Sequence, residues 1–155
     1  MKAVLQRVTG ACVRVEGKTV GQCGKGLLIL LGVADGDGPN EAEMLATKIA
    51  ALRIFSDDQG KMNKSVKDVG GEILVVSQFT LLANYRCGNR PDYKMSAPPA
   101  IANELYEYFS ECLRKMGFKV ENGIFGADMQ ISLENDGPVT IVMYTDVLKQ
   151  PRNGK

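Results

Sequence analysis

An α+β fold is what this sequence predicts: a mostly antiparallel β-sheet closing into a barrel-like core, with two main helices packed on it. Three observations point there. The opening stretch alternates apolar and polar residues, two later segments repeat apolar residues at helical spacing, and the other apolar runs are short and bounded by glycines. At 155 residues the chain suits one domain with a real core, over 1–148, followed by a polar tail, 149–155.

In "KAVLQRVTGACVRVEGKTVGQC", Val4, Val8, Val13 and Val15 mark period-two faces and Gly17-Lys18 supplies a turn, so two or three strands of a meander are expected. The continuous apolar run Leu27 to Val33 reads as a strand buried on both faces. Pro39 opens a helix in which Ala42, Leu45, Ile49 and Leu52 share a face and Glu41 and Glu43 sit in the first turn. "FSDDQGKMN" is a turn, and Glu72 to Leu82 is the strongest strand in the chain. "NYRCGNRPDYKMSAPP" is a long irregular loop, the kind of segment that carries function. Pro98-Pro99 introduce a second helix with Leu105, Phe109, Cys112, Leu113 and Met116 as its stripe and Gly117 as its stop. Glycine-broken strands finish the domain, giving about seven or more strands in all, and "KQPRNGK" reads as a frayed tail.

Composition narrows the function. Hydrophobic residues make up 45% and charged residues 24%, as in an ordinary soluble globule. The absence of a long apolar run and of a signal-peptide pattern gives the expectation of a cytoplasmic protein with no membrane partner. Cys12, Cys23, Cys87 and Cys112 are scattered and there is no histidine, so no metal site and no cofactor are expected. A net charge of +1 is far from the basic footprint of a protein gripping long nucleic acid, although it suits one touching only a nucleic-acid end.

Two motif matches fail on inspection. Gly17-Lys18-Thr19 lacks the earlier glycine of a phosphate loop, position 12 being Cys12, and Val20 continues a strand rather than a helix. A calcium loop counted from Asp57 would need glutamate where Asp68 stands. "SQFTLLA" is more informative, because Ser77, Gln78 and Thr80 gather where a buried strand feeds a loop. "NDGPVT", Asn135 to Thr140, places Gly137-Pro138 between two strand-like runs, where one residue weakens backbone order and the other lacks a donor.

"SQFTL" and "NDGPVT", with "GNRP", "APP" and "FGADM" between them, closely resemble the D-aminoacyl-tRNA deacylase family over essentially the whole chain. The resemblance implies a homodimeric ester hydrolase acting on the acceptor end of aminoacylated tRNA, with active sites at the subunit interface. It implies that the Gly137-Pro138 bond is cis and enters the partner's site, where its carbonyls reject an L-amino acid by steric clash and admit glycine. Ser77, Gln78, Phe79 and Thr80 are then the catalytic stretch. Phe125 and Met129 line the adenosine pocket, Arg7 braces the Gly-Pro pair, and Arg86, Arg90 and Lys94 are candidate tRNA-backbone contacts. An aminoacyl ester is already activated, so positioned water and an oxyanion site suffice without histidine. The 2′-hydroxyl of the terminal adenosine assists in this reading; a nucleophilic Thr80 would lack an activating base. Two rivals remain: a nucleic-acid-binding module without catalysis, and a relative of relaxed chirality that clears mischarged L-alanine.

Overall fold

The computed structural model describes residues 1–151; the end of the expected frayed tail, 152–155, lies outside the described residues. Chain order is β1 (Lys2–Val15), β2 (Lys18–Cys23), β3 (Gly26–Gly32), α1 (Pro39–Ala51), β4 (Phe55–Ser56), β5 (Met62–Lys64), β6 (Glu72–Ser77), a 3-10 turn (Phe79–Leu82), α2 (Pro99–Lys115), β7 (Val120–Asn122), β8 (Gln130–Tyr144) and α3 (Thr145–Lys149). The class is α+β as the sequence predicts, with a nearly closed, barrel-shaped mixed sheet in the order β2-β1-β3-β6-β7 and β8 on the other edge of β1. β4 and β5 form a separate small hairpin.

The long strand β1 organises the sheet. β3 pairs with Lys2 to Val8 and β2 with Ala11 to Val15 on one edge, while β8 runs antiparallel along the other. The expected meander of two or three strands is two, β1 and β2 joined at Glu16-Gly17, and Lys2–Val15 is a single strand carrying a bulge. Ala3 and Leu5 face the helices, whereas Val8, Ala11 and Val13 all enter a second cluster with Cys23, Leu28, Leu74 and Val76. Odd positions therefore change face after Val8. The extra residue between Val8 and Gly10 in the β8 pairing accounts for it, because a one-residue shift exchanges the two faces of a strand.

The antiparallel expectation needs one correction: β3 with β6 and β6 with β7 are parallel. Their connections contain α1 and α2, long enough to return the chain to the same end of the sheet, as parallel pairing requires. β3 and β6 are buried on both faces, with Leu27, Ile29, Leu31, Ile73 and Val75 toward the helices and the intervening Leu28, Leu74 and Val76 toward the second cluster. The sheet nearly closes where β2 meets β7. A Cβ on Gly21 would stand 2.3 Å from the Asn122 carbonyl oxygen, and the Gln22 amide donates to Glu121 at 2.7 Å.

α1 buries Ala42, Leu45, Ala46 and Ile49, and α2 buries Leu105, Tyr106, Phe109, Cys112 and Leu113; of the predicted stripes, Leu52 and Met116 stand just past the helix ends, partly buried against the same core. Tyr106 ties α2 to the sheet by donating to the Val75 carbonyl at 2.9 Å, and burial pushes its pKa up to about 12. The expected strand Glu72–Leu82 stops at Ser77 and gives way to the 3-10 turn. The short helix α3 covers Lys149, where the tail was expected to start. It is held at its beginning by Thr145, whose amide donates to the Met1 carbonyl at 3.0 Å, and at its end by Lys149, which pairs with Glu41 at 2.8 Å. Among the described residues no helix is long and apolar enough to cross a membrane.

Candidate active site

The parallel ladder between β3 and β6 runs one bond past the strand, with the Gln78 amide donating to Leu31 at 2.8 Å. The chain then tightens: Leu81 donates to Gln78 and Ala83 to Thr80. Gly32 lets this turn approach closely, since a Cβ there would lie 3.0 Å from the Gln78 carbonyl oxygen. The turn throws Phe79 outward. Its side chain is 55% exposed and meets Tyr93 edge-on, with centroids 4.9 Å apart at 72°.

A cavity of about 700 Å³ opens beside this strand end. Ser77, Gln78 and Phe79 form one lip. Phe125 and Met129, from the β7–β8 connection, form a second wall, with Phe125 backed by Tyr106 at 6.0 Å. Gly123 fits beneath that wall, because a Cβ there would come 2.6 Å from the Met129 sulfur. The third wall is Tyr93, Ser96 and the start of α2 at Pro98, Pro99 and Ala102. No carboxylate, lysine, arginine or cysteine lines the cavity among the described residues. Its chemistry is apolar surface with a few hydroxyls and one amide, which can orient a ligand but offers no carboxylate or cationic acid–base group.

Five of the residues singled out in the sequence thus converge: Ser77, Gln78, Phe79, Phe125 and Met129. Thr80 does not line the cavity; its hydroxyl accepts a hydrogen bond from the Gln78 side-chain amide. Arg86, Arg90 and Lys94 are exposed and also lie outside the lining. Their loop is less irregular than its composition suggests. Asn84 and Asp92 close its tip by mutual backbone bonds of 2.8 and 3.0 Å, and Ser96 bridges to Ala34. Tyr93 and Ser96 were missed in the sequence. The available signal was their place just before the "APP" that starts a helix beside a strand end.

"NDGPVT" forms a second rigid feature, apart from the cavity lining of its own chain. In the β1–β8 pairing Gln6 opposes Thr140 and Val8 opposes Asn135, so residues 136–139 bulge out opposite Arg7. Asn135 closes the base: its carbonyl oxygen accepts from Val139 N at 3.0 Å, and its amide donates to Val139 O at 3.0 Å and Arg7 O at 3.4 Å. Arg7 is buried at 8% exposure, donating to the Ile54 carbonyl at 2.7 Å and the Asp136 carbonyl at 3.0 Å. Its guanidinium also lies 6.0 Å from the Phe55 ring centroid and 3.4 Å from the Asp136 carboxylate. The Gly137–Pro138 bond is cis.

The family model described as D-Tyr-tRNA(Tyr) deacylase matches residues 4–144. A D-aminoacyl-tRNA deacylase of Anaeromyxobacter dehalogenans is 58% identical over 143 residues, 92% of this chain and 96% of that protein. Another, from Roseiflexus castenholzii, is 54% identical over 153 residues, 99% of this chain and 98% of that protein. Among solved structures, one titled c-Myc DNA Unwinding Element Binding Protein superposes with a TM-score of 0.87 at 44% identity, covering 93% of this chain and 98% of that one. A second, titled as a probable eukaryotic D-amino acid tRNA deacylase, shares the fold at a TM-score of 0.78 and 17% identity, covering 92% of this chain and 97% of that one.

Proposed function

The chain belongs to the D-Tyr-tRNA(Tyr) deacylase family, and from that premise we propose that it hydrolyses the ester of D-aminoacyl-tRNA and of glycyl-tRNA as a cytoplasmic homodimer, rejecting L-aminoacyl-tRNA. The observation that carries the finer reading is the separation of two rigid halves. The cavity holds Ser77 to Phe79, Phe125 and Met129, while Gly137 and Pro138 stand on a braced bulge outside that lining. A second copy supplies the missing wall.

In this reading the terminal adenosine enters between Phe125 and Met129 and the ester carbonyl rests at the Ser77–Phe79 lip. Water adds to the carbonyl carbon, the bond to the ribose oxygen breaks, and the ribose hydroxyl recovers the proton as the free amino acid leaves. Backbone amides of the Phe79 turn stabilise the oxyanion, and the ribose 2′-hydroxyl assists proton movement. Thr80 stays structural, because the Gln78 amide that meets its hydroxyl is a donor and cannot take its proton. Gly137 and Pro138 of the partner present backbone carbonyls to the substrate Cα. Carbonyls fixed in this way cannot rotate aside, so an L side chain clashes, at a cost of about 1–3 kcal/mol per misplaced methylene, whereas D-residues and glycine fit. Arg86, Arg90 and Lys94 meet the tRNA backbone.

Matched D-tyrosyl-, L-tyrosyl- and glycyl-tRNA test this directly. Rapid hydrolysis of the D and glycyl esters with the L ester spared, by a protein sedimenting as a dimer, is expected. Equal hydrolysis of D and L esters, or full activity as a monomer, would overturn the cross-subunit wall. The name of the structure at 44% identity favours a second reading as a DNA-binding protein; salt-sensitive binding to duplex DNA without deacylation would establish it in place of the first.

A further inference from the structure

We infer that the Ser96 hydroxyl is a positioning group for a purine nucleoside in the cavity, turning toward the ligand on binding. The inference deepens the deacylase reading and rests on it. Ser96 Oγ is the one buried side-chain nitrogen or oxygen among the described residues that has no hydrogen-bond partner. Such a hydroxyl gives up water and gains nothing in return, which costs free energy in the empty protein. Its residue is nevertheless only half-buried and lines the cavity.

The backbone around it is fixed. Ser96 pairs with Ala34, its amide donates to Tyr93 at 2.9 Å, and the next amide, Ala97, donates to Val33 at 3.0 Å. Relief by moving the loop would break these bonds, whereas relief by turning χ1 breaks none, and side-chain rotation between staggered positions is fast. Ser96 shares the cavity lining with the apolar Phe125 and Met129. Faces of that kind suit a flat ring, and the ring's edge then needs polar partners. A purine nucleoside presents both donors and acceptors, and a serine hydroxyl answers either. Ser77 and Gln78 belong to the lip where the ester sits, which leaves Ser96 with Tyr93 on the loop wall for the nucleoside.

The sign of the Ser96→Ala effect distinguishes this role from an ordinary structural one. Loss of an unpaired buried hydroxyl spares the empty protein, while loss of a ligand bond weakens binding. Three measurements on wild type and Ser96→Ala are decisive: thermal unfolding without ligand, calorimetric binding of adenosine 5′-monophosphate, and kcat and KM on D-tyrosyl-tRNA. The expected result is an unchanged or raised Tm, with nucleotide Kd and tRNA KM each weakened about three- to tenfold and kcat within about twofold. Unaltered Kd and KM in a wild type that deacylates would overturn the Ser96 role alone. A lowered Tm accompanied by proportionate losses in kcat would assign Ser96 to structure instead. A wild type that neither binds the nucleotide nor deacylates would overturn both this inference and the deacylase reading.

Discussion

Gly137→Ala tests whether the braced bulge is as rigid as a selecting wall must be. At Gly137 φ is +134°, and an added Cβ would lie 2.9 Å from Val139 Cγ2, 3.0 Å from Arg7 Nη2 and 3.1 Å from the Val139 amide nitrogen. None of these atoms yields easily. Arg7 is committed to the Ile54 and Asp136 carbonyls, and Val139 is bonded through its amide and carbonyl to Asn135. The positive φ, far from the left-handed helical value, costs about 1–3 kcal/mol for a residue with a Cβ, and overpacking a tight site costs about 1–3 kcal/mol. Together these give about 2–6 kcal/mol, a fall in Tm of about 4–24 °C for a domain of this size. Gly60→Ala is the control, because its φ of +78° carries the backbone cost while nothing stands within 4 Å of the added Cβ. Thermal unfolding of both variants separates crowding from backbone strain, and D-tyrosyl-tRNA hydrolysis well below both midpoints tests the proposed part of the bulge in the reaction. Activity on the D-substrate is expected to fall in Gly137→Ala and to persist in Gly60→Ala. A Gly137→Ala protein no less stable than Gly60→Ala, with D-activity intact, would refute the reasoning.

Asn135→Ala removes the amide that closes the bulge, with its three bonds to Val139 and Arg7 backbone groups; urea unfolding should show a loss of about 1–3 kcal/mol. Thr80→Ala should keep most of its hydrolytic rate, since among the described residues its hydroxyl meets only the Gln78 amide; a fall of about 10⁴-fold in kcat with unchanged tRNA binding would instead mark a nucleophile. Arg86→Ala and Arg90→Ala should weaken tRNA binding equally for every aminoacyl group and flatten its salt dependence, whereas a changed D-to-L ratio would show that they read the amino acid. Glu41 has its pKa lowered to about 2, first by its bond from Lys149 and then by the Gly38 amide. A depressed carboxyl pKa stabilises the fold above the unfolded value and loses that contribution as pH falls toward the folded one. The stability advantage of wild type over Glu41→Gln should therefore be full near neutrality and fade between about pH 4.5 and 2, as followed by denaturation across that range.

Local pattern made the helices legible. Ala42, Leu45 and Ile49 on α1 and Leu105, Phe109 and Leu113 on α2 carry their period in a few turns, and proline marks each start. The apolar strand β3 was equally plain. What escaped was decided by distant partners. Nothing within Lys2–Val15 decides between one strand and two, because the bulge at Thr9 is set by pairing with β8, more than a hundred residues away in sequence. The end of β6 at Ser77 was hidden for a related reason: Phe79 and Leu82 look like strand residues, and only the close approach of Gly32 shows why the chain turns there. In the site, the two motifs led to one lip of the cavity and to the bulge. Tyr93 and Ser96 carry little local signal, because it is the loop's bonds to Val33 and Ala34 that place them at the cavity.

The supports of this site matter more than its reactive groups, because among the described residues the lining contains no strong acid or base to remove. The lip is held by a backbone ladder ending at Leu31, and the bulge by Asn135 and the buried Arg7. If selection is steric, its free energy can be no larger than the stiffness of the wall, since a surface that yields by half an ångström relieves the clash it is meant to impose. Arg7 fixes that stiffness by tying Asp136, next to Gly137, to Ile54 of a different element. Lysine, with its single ammonium, does not reproduce the planar fork that reaches both carbonyls. Softening the brace should therefore erode discrimination before it erodes hydrolysis of D-esters, a pattern opposite to that expected from loss of a catalytic acid or base, where both esters slow together.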